Sequence, residues 1–267
     1  STFNVTADSV TAAMSDRTKA VMVVDEFGLP AEVSALLEQL NAAGIPLVED
    51  AACALGSNRH GVPAGRAGSI AGFSFHPRKI ITSGEGGAIC TDDDALADFF
   101  ARARSHGAST GSEGVSYVYS GYNYRMTEMQ AAMLLPQIVA LPAIVAERRE
   151  IANKYLNAIQ NPRLLLPSEP MGMNSNWQSF CLRFRSEGER REFERFMTTH
   201  RIQTRPGAQC IPQEPFYASK YGLLGKRFPG AYEAAHRGCT IPLFHGMTNE
   251  ETETVVQACN AFTGGRS

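Results

Sequence analysis

The sequence has few lysines and no cluster of positive charge. Only five of its 25 basic residues are lysines: Lys19, Lys79, Lys154, Lys220 and Lys226. The arginines are spread along the chain, the formal net charge is -2 and the isoelectric point is about 6.3. Nucleic-acid binding proteins carry a basic stripe or patch. We therefore expect no nucleic-acid partner.

The sequence also lacks an apolar run as long as a membrane span, which requires about 20 residues. Its first ten residues, STFNVTADSV, have neither the charged nor the apolar region of a signal peptide. These two absences predict a protein that does not bind a membrane and that resides in the cytoplasm.

Metal-binding and disulfide patterns are missing as well. The six cysteines show no C-x-x-C spacing, and the six histidines show no H-E-x-x-H spacing. The cysteines lie mostly in apolar surroundings, which favours buried, reduced thiols. We predict no metal site and no disulfide framework.

What the sequence does contain is a β-α-β pattern. With 267 residues and 43% hydrophobic content, the chain can bury a large core. KAVMVVDEF is typical of a buried strand, PAEVSALLEQLNAAG of a helix that ends at Gly44, and IPLVEDAACALG of a second strand. This order predicts an α/β fold with a parallel sheet, whose ligands bind beyond the carboxyl ends of the strands. Asp50 lies at such an end.

Further segments extend this organisation. SIAGFSFHP and GAICTDD predict two more strands, and residues 108–125, rich in Gly, Ser and Tyr, predict an ordered functional loop. The long helical pattern that follows contains Pro136 and Pro142, which we expect to kink or divide the helix. We predict a large domain over residues 1–159 and a smaller α+β domain over 160–267, with a C-terminal helix capped by Thr248 and Glu251.

The stretch FSFHPRKIITSGEGGAI, residues 73–89, carries the chemistry of most interest. It runs a strand into a turn that contains Lys79 and then into a glycine-rich segment. Spacing alone is compatible with a surface lysine in a turn and with a desolvated lysine that forms a Schiff base. In the second case Asp50 is suited to keep the pyridine nitrogen of pyridoxal phosphate protonated.

Several blocks in one order resemble a known family. VEDAACALGS, GFSFHPRKIITSGEGGAI, RSHG, GYNYRMTEMQAA and IPLFHGMTNEE are similar to blocks of the DegT/DnrJ/EryC1/StrS sugar aminotransferases. The resemblance implies the pyridoxal-phosphate transferase fold type I. It also implies that Lys79 forms the Schiff base with the cofactor, that Asp50 pairs with the pyridine nitrogen and that Ser74 binds the phosphate. Asn123 is expected to reach the phosphate in the partner subunit, so the resemblance implies a homodimer.

Two features depart from the family pattern. Cys53 stands where the family usually has Gln or His beside the ring hydroxyl of the cofactor, and a thiol is a weaker hydrogen-bond partner. Family members also begin with a further segment of about a hundred residues that carries a Ser-Gly-Thr phosphate-binding turn and an aromatic residue on the cofactor ring. We expect that this segment lies on a second chain or was removed or omitted, or that the chain is a relic with weak cofactor binding.

The resemblance implies transfer of an amino group from L-glutamate to a ketosugar linked to a nucleotide. Two alternatives stay open. One is a sugar dehydratase of the same family, in which histidine replaces the lysine. The other is a non-catalytic or split subunit that completes a site only with a partner chain.

Overall fold

The computed structural model describes residues 2–222 and 228–264. In these residues the α-helices have the following bounds: α1 Ala7–Ala13, α2 Ser34–Ala43, α3 Asp94–Ala103, α4 Glu128–Ala158, α5 Glu187–Thr199, α6 Pro215–Tyr221, α7 Pro229–Arg237 and α8 Asn249–Ala261. The strands have these bounds: β1 Val21–Val24, β2 Leu47–Asp50, β3 Asn58–Arg59, β4 Val62–Pro63, β5 Ile70–Ser74, β6 Gly87–Cys90, β7 Ala108–Gly111, β8 Gly114–Tyr117, β9 Met173–Asn174, β10 Phe180–Arg183, β11 Arg205–Pro206 and β12 Gly238–Ile241.

The chain divides into two compact units. The first unit comprises Asn4–Ala143 and Gly172–Asn176, and the second comprises Ser1–Phe3, Ile144–Met171 and Trp177–Ser267. The predicted domain boundary between residues 159 and 160 stays a prediction about folding domains.

A four-stranded sheet in the order β1-β2-β5-β6 forms the centre of the first unit. β1, β2 and β5 are parallel, as the β-α-β pattern predicts, whereas β6 runs antiparallel to β5. The last strand turns back because only twelve residues separate Ser74 from Gly87 and they form the turn that holds Lys79, not a crossover helix.

The two faces of this sheet differ in burial. On one face Val23 and Leu47 pack against Leu36 and Leu40 of α2. That helix ends at Gly44, which adopts the left-handed conformation at φ 64° and confirms the predicted C-cap. On the opposite face, Met22 of β1 is 64% exposed and Ile89 of β6 is 56% exposed.

The segment predicted as a loop over residues 108–125 is partly a β-hairpin. Ala108–Gly111 pairs with Gly114–Tyr117 in antiparallel register, so the loop prediction was wrong for this part. Its many glycines, serines and tyrosines suit a short hairpin exposed on both faces, and this composition alone does not distinguish such a hairpin from a loop. Beyond the hairpin, Asn123 forms an isolated antiparallel bridge with Ser105.

Helix α4 continues through both of its prolines, so they do not divide it, and the alternative that they kink the helix stays a prediction. A proline removes one backbone donor and leaves a carbonyl without its intrahelical partner. Near Pro136 the side-chain Nε2 of Gln137 donates to the carbonyl oxygen of Met133 at 2.6 Å.

Helix α4 is also long and apolar enough to cross a bilayer, and 11% of its most apolar 18-residue stretch is buried. The expectation that no segment resembles a membrane span was therefore too broad. One helix of this kind does not identify a membrane protein, because soluble proteins also contain long apolar helices. The predicted absence of membrane binding stays a prediction.

The second unit is built on an antiparallel sheet in the order β10-β12-β11. Its core includes Trp177, Phe180 and Phe193, each less than 5% exposed. The C-terminal helix α8 begins with the predicted capping box: Thr248 and Glu251 bind each other's backbone amides.

Candidate active site

The carboxyl ends of β1 and β2 place two acidic dipeptides side by side. Val24 pairs with Asp50 in register, and the amide of Asp25 donates to the carbonyl oxygen of Asp50 at 3.0 Å. Side chains alternate between the faces of a strand. Asp25 and Glu49 are fully buried, whereas Glu26 and Asp50 are partly exposed. Each dipeptide therefore sends one carboxyl group into the core and keeps the other at the open face.

Lys79 lies in a tight turn that follows β5. Its amide donates to the carbonyl oxygen of His76 at 2.9 Å. The side chain then reaches across to the segment after β2, where its Nζ donates to Sγ of Cys53 at 3.1 Å. The structure thus brings Lys79 and Cys53 together, although 26 residues separate them.

The electrostatics of Cys53 fit a thiol that stays protonated. Burial raises the pKa of the Cys53 thiol above its ordinary value, Lys79 acts in the opposite direction, and the charges of Glu26 and Asp50 raise it further. A neutral thiol is a weak hydrogen-bond partner for the lysine amine.

Glu26 is a residue of this cluster that the sequence argument missed. Its carboxyl group lies within electrostatic range of Asp50 and Lys79, and burial, followed by the charge of Asp50, raises the pKa of Glu26. A signal was present in the sequence, because the acidic pair Asp25-Glu26 directly follows β1 and the acidic pair Glu49-Asp50 ends β2.

Ser74 lies two residues beyond Gly72 on β5, and Gly72 pairs in register with Asp50. By alternation Ser74 shares the open face with them. Its Oγ accepts a hydrogen bond from the amide of His76 at 3.3 Å. Asn123, in contrast, is exposed at its bridge with Ser105, on a segment apart from the turn that holds Lys79. The phosphate-binding roles of Ser74 and Asn123 stay predictions.

A glutamine of α4 holds the turn that contains Lys79. Gln137 accepts a hydrogen bond from the amide of Thr82 at 3.0 Å and donates to the carbonyl oxygen of the same residue at 2.8 Å. One side-chain amide thus pairs with both backbone polar groups of a single residue, as a neighbouring strand would. No local sequence signal indicates this contact, because it spans 55 residues.

Asn176 supports the segment that carries Cys53. Its Nδ2 donates to the carbonyl oxygens of Cys53 and Leu55, both at 2.9 Å, and its amide donates to Oγ of Ser57. Asn176 itself is fully buried. The backbone at Cys53 is therefore held by a residue more than a hundred positions away in sequence.

Beneath the site lies a buried charged cluster. Asp25 and Glu49 are fully buried, and Nη2 of Arg59 lies 3.6 Å from Oε1 of Glu49. Burial, opposed by a hydrogen bond from the amide of Ala31 and reinforced by the charge of Glu49, raises the pKa of Asp25 to about 8. When one of the two carboxyl groups keeps its proton, the single negative charge of the other is neutralised by the one guanidinium.

Comparison with known proteins identifies the family. The model of the DegT/DnrJ/EryC1/StrS aminotransferase family matches residues 1–260. This chain belongs to that family. It is therefore an enzyme, an aminotransferase of a family that acts on sugars and depends on pyridoxal phosphate.

Individual relatives agree with this assignment. GDP-perosamine synthase of Escherichia coli O157:H7 is 29% identical over 261 residues, which are 98% of this chain and 70% of the relative. The aminotransferase TlmJ of Streptoalloteichus hindustanus has a TM-score of 0.89 at 29% identity, covering 97% of this chain and 70% of that one. The PLP-form of the putative sugar aminotransferase Spr1654 of Streptococcus pneumoniae, at 23% identity over 97% and 72% of the two chains, has a TM-score of 0.89 and shows the same fold.

The residues present fit the cofactor. An amine, a carboxylate and a small strand residue share the open face, in Lys79, Asp50 and Gly72. A Cβ atom added at Gly72 would meet no atom of the described chain within 4 Å, so the face beside Asp50 has room for a planar ring. The predicted mixed α/β fold of this class is confirmed.

Proposed function

We propose that this aminotransferase moves an amino group from L-glutamate to a ketosugar linked to a nucleotide, and that Lys79 is its Schiff-base residue. The observation that carries the proposal is the position of Lys79: its amine lies 3.1 Å from Cys53, in the segment that follows Asp50. The amine thus lies at the carboxyl ends of the parallel strands β2 and β5, where ligands of such folds bind.

The roles of the side chains follow from their chemistry. Pyridoxal phosphate, when bound, supplies an electron sink for the bond that breaks at the donor's α-carbon. Nζ of Lys79 would accept the proton from that carbon and later return a proton to the product. Asp50 would hold the ring nitrogen protonated through its carboxylate, and Ser74 would donate its hydroxyl to the phosphate.

Support for the acceptor comes from the relatives. One of them is named a GDP-perosamine synthase and another a putative sugar aminotransferase. A nucleotide-linked sugar is therefore the acceptor class that we propose. L-glutamate as donor stays our proposal from the family resemblance.

We also propose that the enzyme works as a homodimer in the cytoplasm, with Asn123 reaching the partner's site. The first unit exposes large apolar side chains near that residue in sequence: Tyr117 and Tyr124 are each 71% exposed, and Met129 is 79% exposed. Monomers rarely expose so much apolar surface without a partner, and a second copy is the occupant we propose. The six cysteines, all within the described residues, are free, which supports a reducing compartment.

The test is covalent trapping of the cofactor. Purified protein is mixed with pyridoxal phosphate, its visible absorption is recorded before and after L-glutamate, and borohydride reduction is followed by mass spectrometry. We expect a band that glutamate bleaches and a reduced adduct on the peptide that contains Lys79. The variant Lys79→Ala should lose both, whereas Lys19→Ala, which removes an exposed lysine of the same unit, should keep them.

Other outcomes favour the alternatives. If no adduct forms until a second chain is added, the split-subunit hypothesis replaces ours. If Lys79→Ala keeps the wild-type rate of amino transfer, the proposed mechanism is wrong. Release of a dehydrated sugar without transfer of nitrogen would identify a dehydratase.

A further inference from the structure

Asn123 lies on an exposed segment, and the end of helix α3 binds the residues on both sides of it. The amide of Tyr122 donates to the carbonyl oxygen of Ala103 at 2.9 Å. The amide of Tyr124 donates to the carbonyl oxygen of Arg104 at 2.8 Å. Backbone hydrogen bonds to one helix end therefore flank Asn123 on either side.

This pairing depends on a very close approach at Gly121, the first residue of the segment. A Cβ atom at this position would lie 2.1 Å from the amide nitrogen of Gly107, 2.5 Å from the carbonyl carbon of His106 and 2.7 Å from the carbonyl oxygen of Ala103. These distances are far below ordinary van der Waals contact. Only glycine fits at residue 121 unless the backbone moves.

Gly107 makes an equally close contact with the chain just before Gly121. It adopts the left-handed conformation at φ 73°, and a Cβ atom on it would lie 2.0 Å from the carbonyl oxygen of Tyr119. Its amide donates to the carbonyl oxygen of Arg102 at 2.9 Å, and its carbonyl oxygen accepts from the amide of Val118 at 2.8 Å. At these two glycines the two segments lie backbone against backbone, with no side chain between them.

We propose that Gly121 and Gly107 are positioning residues for Asn123: their contact sets the position from which Asn123 reaches the site of the partner subunit. A side chain at either glycine would push the two segments apart and weaken the hydrogen bonds at Tyr122 and Tyr124. The proposal rests on the proposed role of Asn123 in a homodimer. It adds that the blocks RSHG and GYNYR, which are separate in sequence, act as one unit.

The first measurement uses the chain without cofactor. Hydrogen exchange at the amides of Tyr122 and Tyr124 is compared in the wild type, Gly121→Ala and Gly111→Ala. We expect Gly121→Ala to accelerate exchange at both amides by roughly tenfold, because it opens the contact locally. At Gly111, in the adjacent hairpin, a Cβ atom would meet no atom of the described chain within 4 Å. Gly111→Ala is therefore the matched control and should leave both amides unchanged.

The second measurement identifies which site of the dimer is impaired. Gly121→Ala alone should lower amino transfer to about the level of Asn123→Ala alone. In a mixed dimer with Lys79→Ala, the Gly121→Ala defect falls on the site that already lacks the lysine, so the other site is intact. Equal amounts of the two chains should recover about a quarter of the wild-type activity.

Mixtures of Gly121→Ala with Asn123→Ala should recover no activity, because neither site then receives a correctly placed Asn123. A general structural defect of the Gly121→Ala chain would also damage that chain's own site. It would therefore prevent recovery with Lys79→Ala as well, which separates a structural role from a positioning role.

The proposal is overturned if Gly121→Ala keeps the wild-type exchange or the wild-type activity, or if it recovers activity with Asn123→Ala. It is also overturned if Gly121→Ala fails to complement Lys79→Ala while Asn123→Ala succeeds. If Asn123→Ala itself fails to complement Lys79→Ala, the proposed role of Asn123 fails. Exchange at Tyr122 and Tyr124 then decides alone whether the glycines hold the segment.

A second variant covers the case in which Gly121→Ala does not fold, as judged by its thermal transition. Tyr122→Pro removes the amide that binds Ala103 and adds no atom at Gly121. Tyr122→Ala, which keeps that amide, is its control. The same mixtures and criteria then apply, with exchange measured at Tyr124.

Discussion

Nζ of Lys79 donates a hydrogen bond to Sγ of Cys53 across 3.1 Å. The two residues belong to different segments at the edge of the sheet, one after β5 and one after β2. Their contact shows that the turn with Lys79 folds back over the strand that carries Asp50. The contact therefore brings two sequence segments that are distant along the chain into one site.

Replacement of this thiol should have a small effect. A thiol is a weak acceptor, so Cys53→Ala removes a contact worth about 1 kcal/mol or less. We expect the dissociation constant for pyridoxal phosphate, measured by absorption titration, to rise by no more than about fivefold. Cys90→Ala, at an exposed position, is the matched control. Complete loss of cofactor binding in Cys53→Ala would contradict the weak role that we assign to the thiol.

The buried pair Asp25 and Glu49 predicts a pH-dependent stability. Because the pKa of Asp25 is raised to about 8 in the folded state, the folded chain holds a proton that the unfolded chain releases above its ordinary pKa near 3.8. This contribution is fully present below that lower value and is lost as the pH rises towards 8. Urea unfolding midpoints of the wild type should therefore fall between pH 5.5 and pH 8.5.

Asp25→Asn resembles the protonated acid and removes this titration. Its urea unfolding midpoint should change less with pH. The difference in midpoint between the variant and the wild type should therefore shift in favour of the variant as the pH rises. Asp16→Asn, at an exposed site, should follow the wild type. Parallel curves for Asp25→Asn and the wild type would show that Asp25 does not hold the proton.

Gln137 predicts a local effect on the turn with Lys79. Gln137→Leu keeps the approximate size of the side chain but removes both hydrogen bonds to Thr82. At about 1 kcal/mol for each bond, we expect hydrogen exchange of the Thr82 amide to accelerate by roughly thirtyfold. Gln39→Leu, which changes a contact with Thr11 on the surface, should leave that amide unaffected. Unchanged exchange in Gln137→Leu would mean that other contacts hold the turn.

The proposed homodimer predicts complementation between two inactive variants. If Asn123 serves the partner's site, a mixed dimer of Lys79→Ala and Asn123→Ala chains has one site with both defects and one intact site. Random pairing of equal amounts should then restore about a quarter of the wild-type amino-transfer activity. Each variant measured alone gives the baseline. If mass spectrometry demonstrates mixed dimers but activity does not recover, Asn123 does not contribute to the partner's site.

Local patterns predicted the elements of the sheet well. β1, α2 and β2 were each indicated by a short run of apolar residues, and Gly44 was recognised because a left-handed C-cap favours glycine. Prediction from local sequence was less successful where the same amino-acid composition is compatible with two kinds of secondary structure. The hairpin at Ala108–Gly111 and Gly114–Tyr117 was predicted as a loop, and the two prolines of α4, expected to kink or divide the helix, do not divide it.

The sequence by itself determined the fold class, the family, and the residue types at the strand ends, since these depend on patterns within a few residues and on their order. Only the tertiary structure decided which side chains meet. Gln137 reaches Thr82 across 55 residues and Asn176 reaches Leu55 across 121, and neither contact has a local signature. Glu26 lies near Asp50 and Lys79 for the same reason: the register between β1 and β2, which packing fixes, places the acidic pair that follows β1 beside the acidic pair that ends β2.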